Sequence, residues 1–290
     1  MNFSETQFQN LSITDDFVFC SVMTSSEELC REMAERILGR KIGKIVRLDK
    51  QKSIQTTQDG KGVRFDVYFE DDRDTVYDIE MQNANEKNLP HRARYYQSMI
   101  DMEQMEKGMQ YEEMKNSYVI FICMFDPFGM GLQKYTVKSI CEEEPQTPYE
   151  DGVRKVFLNP YGTKEDEDQE LQALFRYLDK RVPTDGFTER LEKRVRAITR
   201  DADWRRQYMT LYERDQRNIA KGHEEGRLEG LEEGKKEGRK EGLEEGKMES
   251  RIELVRNMLK KDLPVHTICD VLEISEDEFR QFCSGNNIEV

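Results

Sequence analysis

The chain reads as an α/β protein with a mixed central sheet flanked by helices and a helical C-terminal tail. Three observations predict this. Two segments of alternating character, GVRFDVYFE and TVYDIEMQ, flank the turn-like DDRD at 71–74. A continuous apolar run, SYVIFICMF, follows a helix-like stretch after Pro90 and reads as a strand buried on both faces. From Gly222 to Gly246 glycine recurs at every fourth position among Glu, Lys and Arg.

In chain order, residues 25–38 (SSEELCREMAERIL) put Leu29, Met33, Ile37 and Leu38 at helical spacing behind a serine cap. This spacing predicts the first core helix. Residues 44–57 alternate loosely and Asp59-Gly60 supplies a turn, so a strand and a hairpin follow. In the next strand Val63, Phe65, Val67 and Phe69 share one face and Arg64, Asp66, Tyr68 and Glu70 the other. In its partner Val76, Asp78, Glu80 and Gln82 lie together. The run RARYYQSMIDMEQMEKG predicts a helix ending at Gly108. Weaker strands are expected at 134–141 and 153–158, and helices at 166–180 and 186–217.

A turn centred near Arg73 sets Asp66 opposite Glu80 in antiparallel register, so the two carboxylates project from one sheet face. Like charges across a ladder repel, which points to a cation between them or to one protonated partner. Taken alone, such a pair is more often two solvated residues. A hard divalent cation takes one or two carboxylates and keeps several waters, which leaves room for a phosphate oxygen and a nucleophilic water. Gln82 then projects toward the same site, where an amide can orient water but carries no charge.

The segments carrying these residues, from Asp15-Asp16-Phe17 through DVYFEDDRDTVYDIEMQ and RARYYQSMID to YVIFICMFDPF, resemble the Rpn-type recombination-promoting nucleases, transposase-like members of the PD-(D/E)XK nuclease superfamily. The resemblance spans roughly residues 10–217 and implies a restriction-endonuclease-like core. Residue by residue, Asp66 matches the motif Asp, Glu80 the motif (D/E), and Gln82 the motif Lys. It implies Asp66 and Glu80 as metal ligands for Mg2+, with Mn2+ as the alternative, and DNA as the substrate of an endonuclease. A link to recombination, mobile elements or defence against foreign DNA comes with it. The superfamily also draws an acidic residue from its first helix. Glu32 and Glu35 are the candidates, and Glu35 is preferred. Because Gln82 replaces a lysine, a cation is expected from Arg92 or Arg94, which with His91 and Tyr95 also face a nucleic-acid backbone in this reading.

Composition bounds the rest. The net charge of −14 opposes a polyanion globally, so any DNA contact must be local or bridged by metal. Six cysteines lack CxxC spacing and only three histidines exist, which argues against a zinc ribbon or a disulfide framework. The N-terminus has no signal-like pattern and no apolar run can span a bilayer, so a cytoplasmic protein without membrane contact is expected. The expected division is a nuclease-like domain at 1–217, a glycine-periodic charged helical segment at 218–250, and a small helical module at 251–290. Interior glycine costs a helix about 0.5–1 kcal/mol each, so a flexible linker is one reading of the repeat. The other, preferred here, is a small-residue stripe that lets a second copy approach, making a homo-oligomer. The rival to an active endonuclease is an inactive nuclease-fold protein serving as an oligomeric binding or assembly module. RNA as substrate is a weaker alternative, since nothing in the sequence reads a 2′-hydroxyl.

Overall fold

The computed structural model describes residues 4–50, 52–54, 62–164 and 168–289. The chain forms two compact units, Met1–Leu211 and Tyr212–Val290. The first unit opens with helices α1 (Glu5–Gln9), α2 (Asp16–Thr24) and α3 (Glu27–Leu38). Strands β1 (Ile45–Lys50), β2 (Ser53–Ile54), β3 (Val63–Arg64), β4 (Val67–Asp71) and β5 (Thr75–Gln82) follow. Next come α4 (Leu89–Gln104), β6 (Asn116–Cys123), β7 (Lys134–Val137), β8 (Val153–Leu158), α5 (Gln169–Lys180) and α6 (Gly186–Arg200).

Six strands form one sheet in the order β1-β4-β5-β6-β8-β7. β1, β4 and β5 are antiparallel neighbours, whereas β5, β6 and β8 run parallel. β7 closes the far edge antiparallel to β8. A mixed sheet covered by helices on both faces is the expected α/β architecture. On one face α2, α3, α5 and α6 pack over Val67, Phe69, Tyr77, Ile79 and Ile120. The other face carries Tyr68, Val76, Val119 and Phe121 beneath α4. The central run at 116–123 is accordingly buried on both sides, and β5 is buried along its whole length.

Three elements depart from the sequence expectation. α2 precedes the helix expected first, and it was illegible because Phe17 through Met23 are all buried. A helix apolar all round has no stripe to detect. The strand expected over 62–70 is broken by a bend at Asp66: β3 pairs with β2 in a separate small sheet, and β4 joins the main one. Phe65 therefore packs with Tyr68 under α4, on the opposite side from Val67 and Phe69. The turn expected at Asp59-Gly60 lies outside the described residues. Finally, the helix expected over 186–217 is two helices, because the Asp201 carboxylate accepts the N–H groups of Asp203 and Trp204 and starts a new one. Shorter differences are the end of α4 at Gln104 rather than Gly108, and of β7 at Val137.

The new helix is α7 (Ala202–Lys260), which continues without interruption through all seven periodic glycines. A Cβ at any of those glycines would meet nothing within 4 Å, and Leu228, Leu231 and Leu243 are exposed. In the second unit the end of α7 packs with α8 (Val265–Leu272) and α9 (Glu276–Gly285) around Val255, Ile268, Phe279 and Cys283.

Candidate active site

The hairpin register is fixed by its turn. Asp71 Oδ1 accepts the N–H groups of Arg73 and Thr75, and Asp71 pairs with Thr75 and Val67 with Ile79. That spacing continues to Asp66 and Glu80, which meet just beyond the last ladder pair. Asp66 N–H donates to Glu80 Oε1 at 2.8 Å, and Met81 N–H donates to Asp66 Oδ2 at 3.2 Å. Each carboxylate is thus pinned by the other strand's backbone, so its position is set by the fold rather than by a mobile rotamer.

The site is electrostatically unbalanced. Glu80 is 3% exposed, and burial, reinforced by the nearby Asp66 charge, pushes its carboxyl up to about 8. Burial and the charge of Asp16 raise Asp66 to about 6. Asp78, two residues back on the same face, is fully buried and lies against the Glu80 carboxyl. Burial and the Glu80 charge hold it well above the carboxylate range. Against these acids stands Arg92 of α4, with Nη2 3.8 Å from Glu80 Oε2. Its guanidinium also lies over the Tyr96 and Phe121 rings, each at 5.5 Å.

Gln82 is 9% exposed and bridges this group: its Oε1 accepts from Arg92 Nη1 at 2.6 Å, and its Nε2 donates to the Ala84 carbonyl at 2.7 Å. The amide therefore anchors the cation beside the carboxylates. Arg94, one residue beyond the inward-facing Ala93, is exposed and lines a groove with Arg64, His91, Arg92 and Tyr95. That groove has a volume of about 590 Å3.

Glu35 is not brought to this group. Its carboxylate accepts from Lys41 Nζ at 2.7 Å and from Ile42 N–H at 3.3 Å. The adjacent Gly43 N–H is bound to Asp71, at the turn end of the hairpin. Glu80 lies five positions along β5 from Thr75 at that end, about 17 Å. Glu32, the other helix candidate, faces Arg36 and Arg190. The acid that does come near is Asp16, at the start of α2, whose charge is felt by Asp66. It is held there by Asn83, just past β5, whose Nδ2 donates to the Thr14 carbonyl at 2.8 Å and to Asp16 Oδ1 at 3.3 Å. Sequence reasoning missed Asp16, Asp78 and Asn83. The first had a signal in Asp15-Asp16-Phe17, because Asp15 caps α2 through Val18 N–H and so orients its neighbour.

The Asp66–Glu80 pair suits a hard divalent cation: its donors are all carboxylate oxygens, and burial together with neighbouring negative charge raises both carboxyls, a cost that a bound cation would offset. Among the described residues no group of three or more acidic, histidine or cysteine side chains is arranged to hold a metal ion. An ion such as Mg2+, which retains waters, does not require one.

A family model described as PD-(D/E)XK nuclease family transposase matches residues 14–185. The chain belongs to that family. The matched span begins beside Asp16, contains the entire central sheet and ends at the cap of α6. No curated protein and no solved structure matches the chain significantly.

As a PD-(D/E)XK nuclease family transposase, the protein should depend on the Asn83 tether. Asn83→Ala removes two hydrogen bonds at the surface and is expected to lower stability by about 1 kcal/mol, read as a shifted urea midpoint at unchanged slope. Nuclease activity should fall by more than that loss accounts for, since Asp16 is then unanchored. A parental rate in the folded variant would remove Asp16 from the site.

Proposed function

We propose that the protein is a metal-dependent DNA endonuclease that hydrolyses phosphodiester bonds at the Asp66–Glu80 centre. The reading is carried by one observation: two carboxyls raised to about 6 and about 8 sit side by side, pinned by backbone N–H groups, with a guanidinium next to them. Asp66 and Glu80 would hold Mg2+ or Mn2+, with Asp16 of α2 nearby in place of the helix acid expected from Glu35. When bound, such an ion supplies Lewis acidity and a more acidic water. Arg92 supplies the positive charge that the missing motif lysine would have given to the developing phosphate charge. Gln82 orients Arg92 in this scheme, which replaces the water-positioning role expected from the sequence. Arg94 and the groove beside it would take the DNA backbone.

The testing experiment is incubation of supercoiled plasmid with purified protein in Mg2+ or chelator. Nicking confined to Mg2+ is the expected result; none in any metal would transfer the reading to the assembly protein described next. Arg94→Ala should weaken DNA binding across sequences and reduce the slope of log affinity against log salt by about 1, because one phosphate contact is lost. An unchanged slope in a filter-binding titration would exclude Arg94 from the interface.

A second reading, an inactive nuclease fold acting through its tail, is favoured by the Gln82 amide being occupied by Arg92 and the Ala84 carbonyl. In either reading we propose three parts at 1–217, 218–250 and 251–290, with the glycine stripe of α7 and exposed Leu228, Leu231 and Leu243 joining copies of the chain into a homo-oligomer. Every cysteine is a free thiol, and among the described residues no helix is long and apolar enough to cross a membrane. A cytoplasmic location accords with both facts.

A further inference from the structure

At the other end of the sheet, where β5, β6 and β8 begin, a second cleft of about 320 Å3 opens. Its walls include Arg40, Arg73, Thr75, Tyr118, Gly152 and Arg154. The Arg40 guanidinium lies over the Tyr118 ring at 4.9 Å. Tyr118 in turn stacks on Tyr77 at 5.5 Å, and Tyr77 on Phe69 at 4.7 Å, both nearly parallel at 12°. A column of three rings rooted in the core therefore supports one flat guanidinium. Stacking of this kind fixes an arginine while leaving its N–H edges free for an oxyanion.

The acids around the cleft are already engaged. Asp71 accepts from the N–H groups of Gly43, Arg73 and Thr75 and from the Tyr77 hydroxyl. Glu150 is on Arg154 at 2.6 Å, and Glu35 is on Lys41 at 2.7 Å. Arg40 and Arg73 are left without a carboxylate partner among the described residues. Two uncompensated cations thus face one concavity in a chain whose net charge is −14. The wall is built to be close: Gly152 has φ +74°, and a Cβ there would come within 2.5 Å of Asn116 Oδ1.

We propose that this cleft binds a small phosphorylated ligand, of about the size of a nucleoside monophosphate, with Arg40 and Arg73 on the phosphate. The volume lies at the lower end of small-molecule pockets, and two guanidinium forks suit a tetrahedral oxyanion better than a single carboxylate. It is separated from the carboxylate centre by the stretch of β5 from Thr75 to Glu80, about 17 Å. Tyr77, in its floor, also points to the opposite sheet face from Asp78 and Glu80.

The test is calorimetric titration of the full chain, in metal-free buffer, with inorganic phosphate, pyrophosphate and a deoxynucleoside 5′-monophosphate. Saturable binding of at least one probe at one site per chain is expected. It should weaken at least tenfold in Arg40→Ala, less in Arg40→Lys, and stay unchanged in Glu80→Gln. Arg73→Ala gives an independent arm should Arg40→Ala fold poorly. No saturable binding of any probe overturns the proposal, as does parental affinity in both arginine-to-alanine variants. Loss of binding in Glu80→Gln overturns it too, since the anion would then sit at the carboxylate centre.

Discussion

Glu80→Gln is expected to reduce Mg2+-dependent nicking by about 10²–10³-fold, the usual cost of removing one preorganised charge contact at a reacting centre, while the protein stays folded. The substitution keeps the shape of the side chain and an oxygen to accept from Asp66 N–H, so the tie between the strands survives. It removes only the charge. Without metal the parent carboxyl, at about 8, is mostly protonated at neutral pH, so a neutral amide costs the metal-free fold little. Glu80→Ala is a poorer probe, because it leaves the Asp66 N–H without its acceptor, at about 1–3 kcal/mol if buried. Asp66→Asn should lose activity to a similar degree, and the double variant little more than either single one, as for groups that act as a unit. Plasmid relaxation rates beside thermal melts decide the matter. Parental nicking by folded Glu80→Gln would remove Glu80 from the reaction, and an unfolded variant would make its role structural.

How much of this was legible in the sequence depends on the kind of signal. The hairpin was readable because β4 and β5 alternate around a turn centred at Arg73, and the ladder from Val67–Ile79 to Asp71–Thr75 follows that centre. The central strand was readable from its unbroken apolar run. The bend at Asp66 was not, because alternation continues straight through it in the sequence. What separates Phe65 from Val67 in space is the change of partner, from β2 alongside β3 to β1 and β5 alongside β4. The first-helix acid was sought in α3, the helix with a visible stripe, whereas α2 has none because it is buried all round. Asp78 read as one polar position among several on its strand. Only burial beneath α4 distinguishes this carboxyl from a solvated one. The relation of Gln82 to Arg92 joins β5 to α4 across ten residues of chain, and no local pattern encodes it.

Metal-free protein should lose stability as pH rises from about 4 to about 8, and Mg2+ should restore more of it at pH 8.5 than at pH 5.5. Unfolded, Asp66 and Glu80 titrate near 3.8 and 4.5; folded, they titrate near 6 and near 8. Between those limits the native state binds more protons than the unfolded state, so the stability of unfolding falls with increasing pH. The loss is complete once pH passes the upper folded value. For Glu80 it is on the order of a few kcal/mol. Asp78, held protonated in the fold by burial and by Glu80, adds a decline of the same sign. A divalent cation requires the ionised carboxylates, so protons compete with it at low pH and its stabilising effect grows as they leave. Asp78→Asn replaces a carboxyl that the fold keeps neutral by a side chain that is always neutral. It should therefore raise metal-free stability at pH 8 and flatten the pH dependence. Urea titrations of parent and variant at pH 5.5, 7 and 8.5, with and without Mg2+, measure all of these terms together. Metal-free stability that is flat or rising over this range would mean that the carboxyls are not desolvated as the buried cluster requires. An equal Mg2+ effect at pH 5.5 and 8.5 would place the ion elsewhere on the chain.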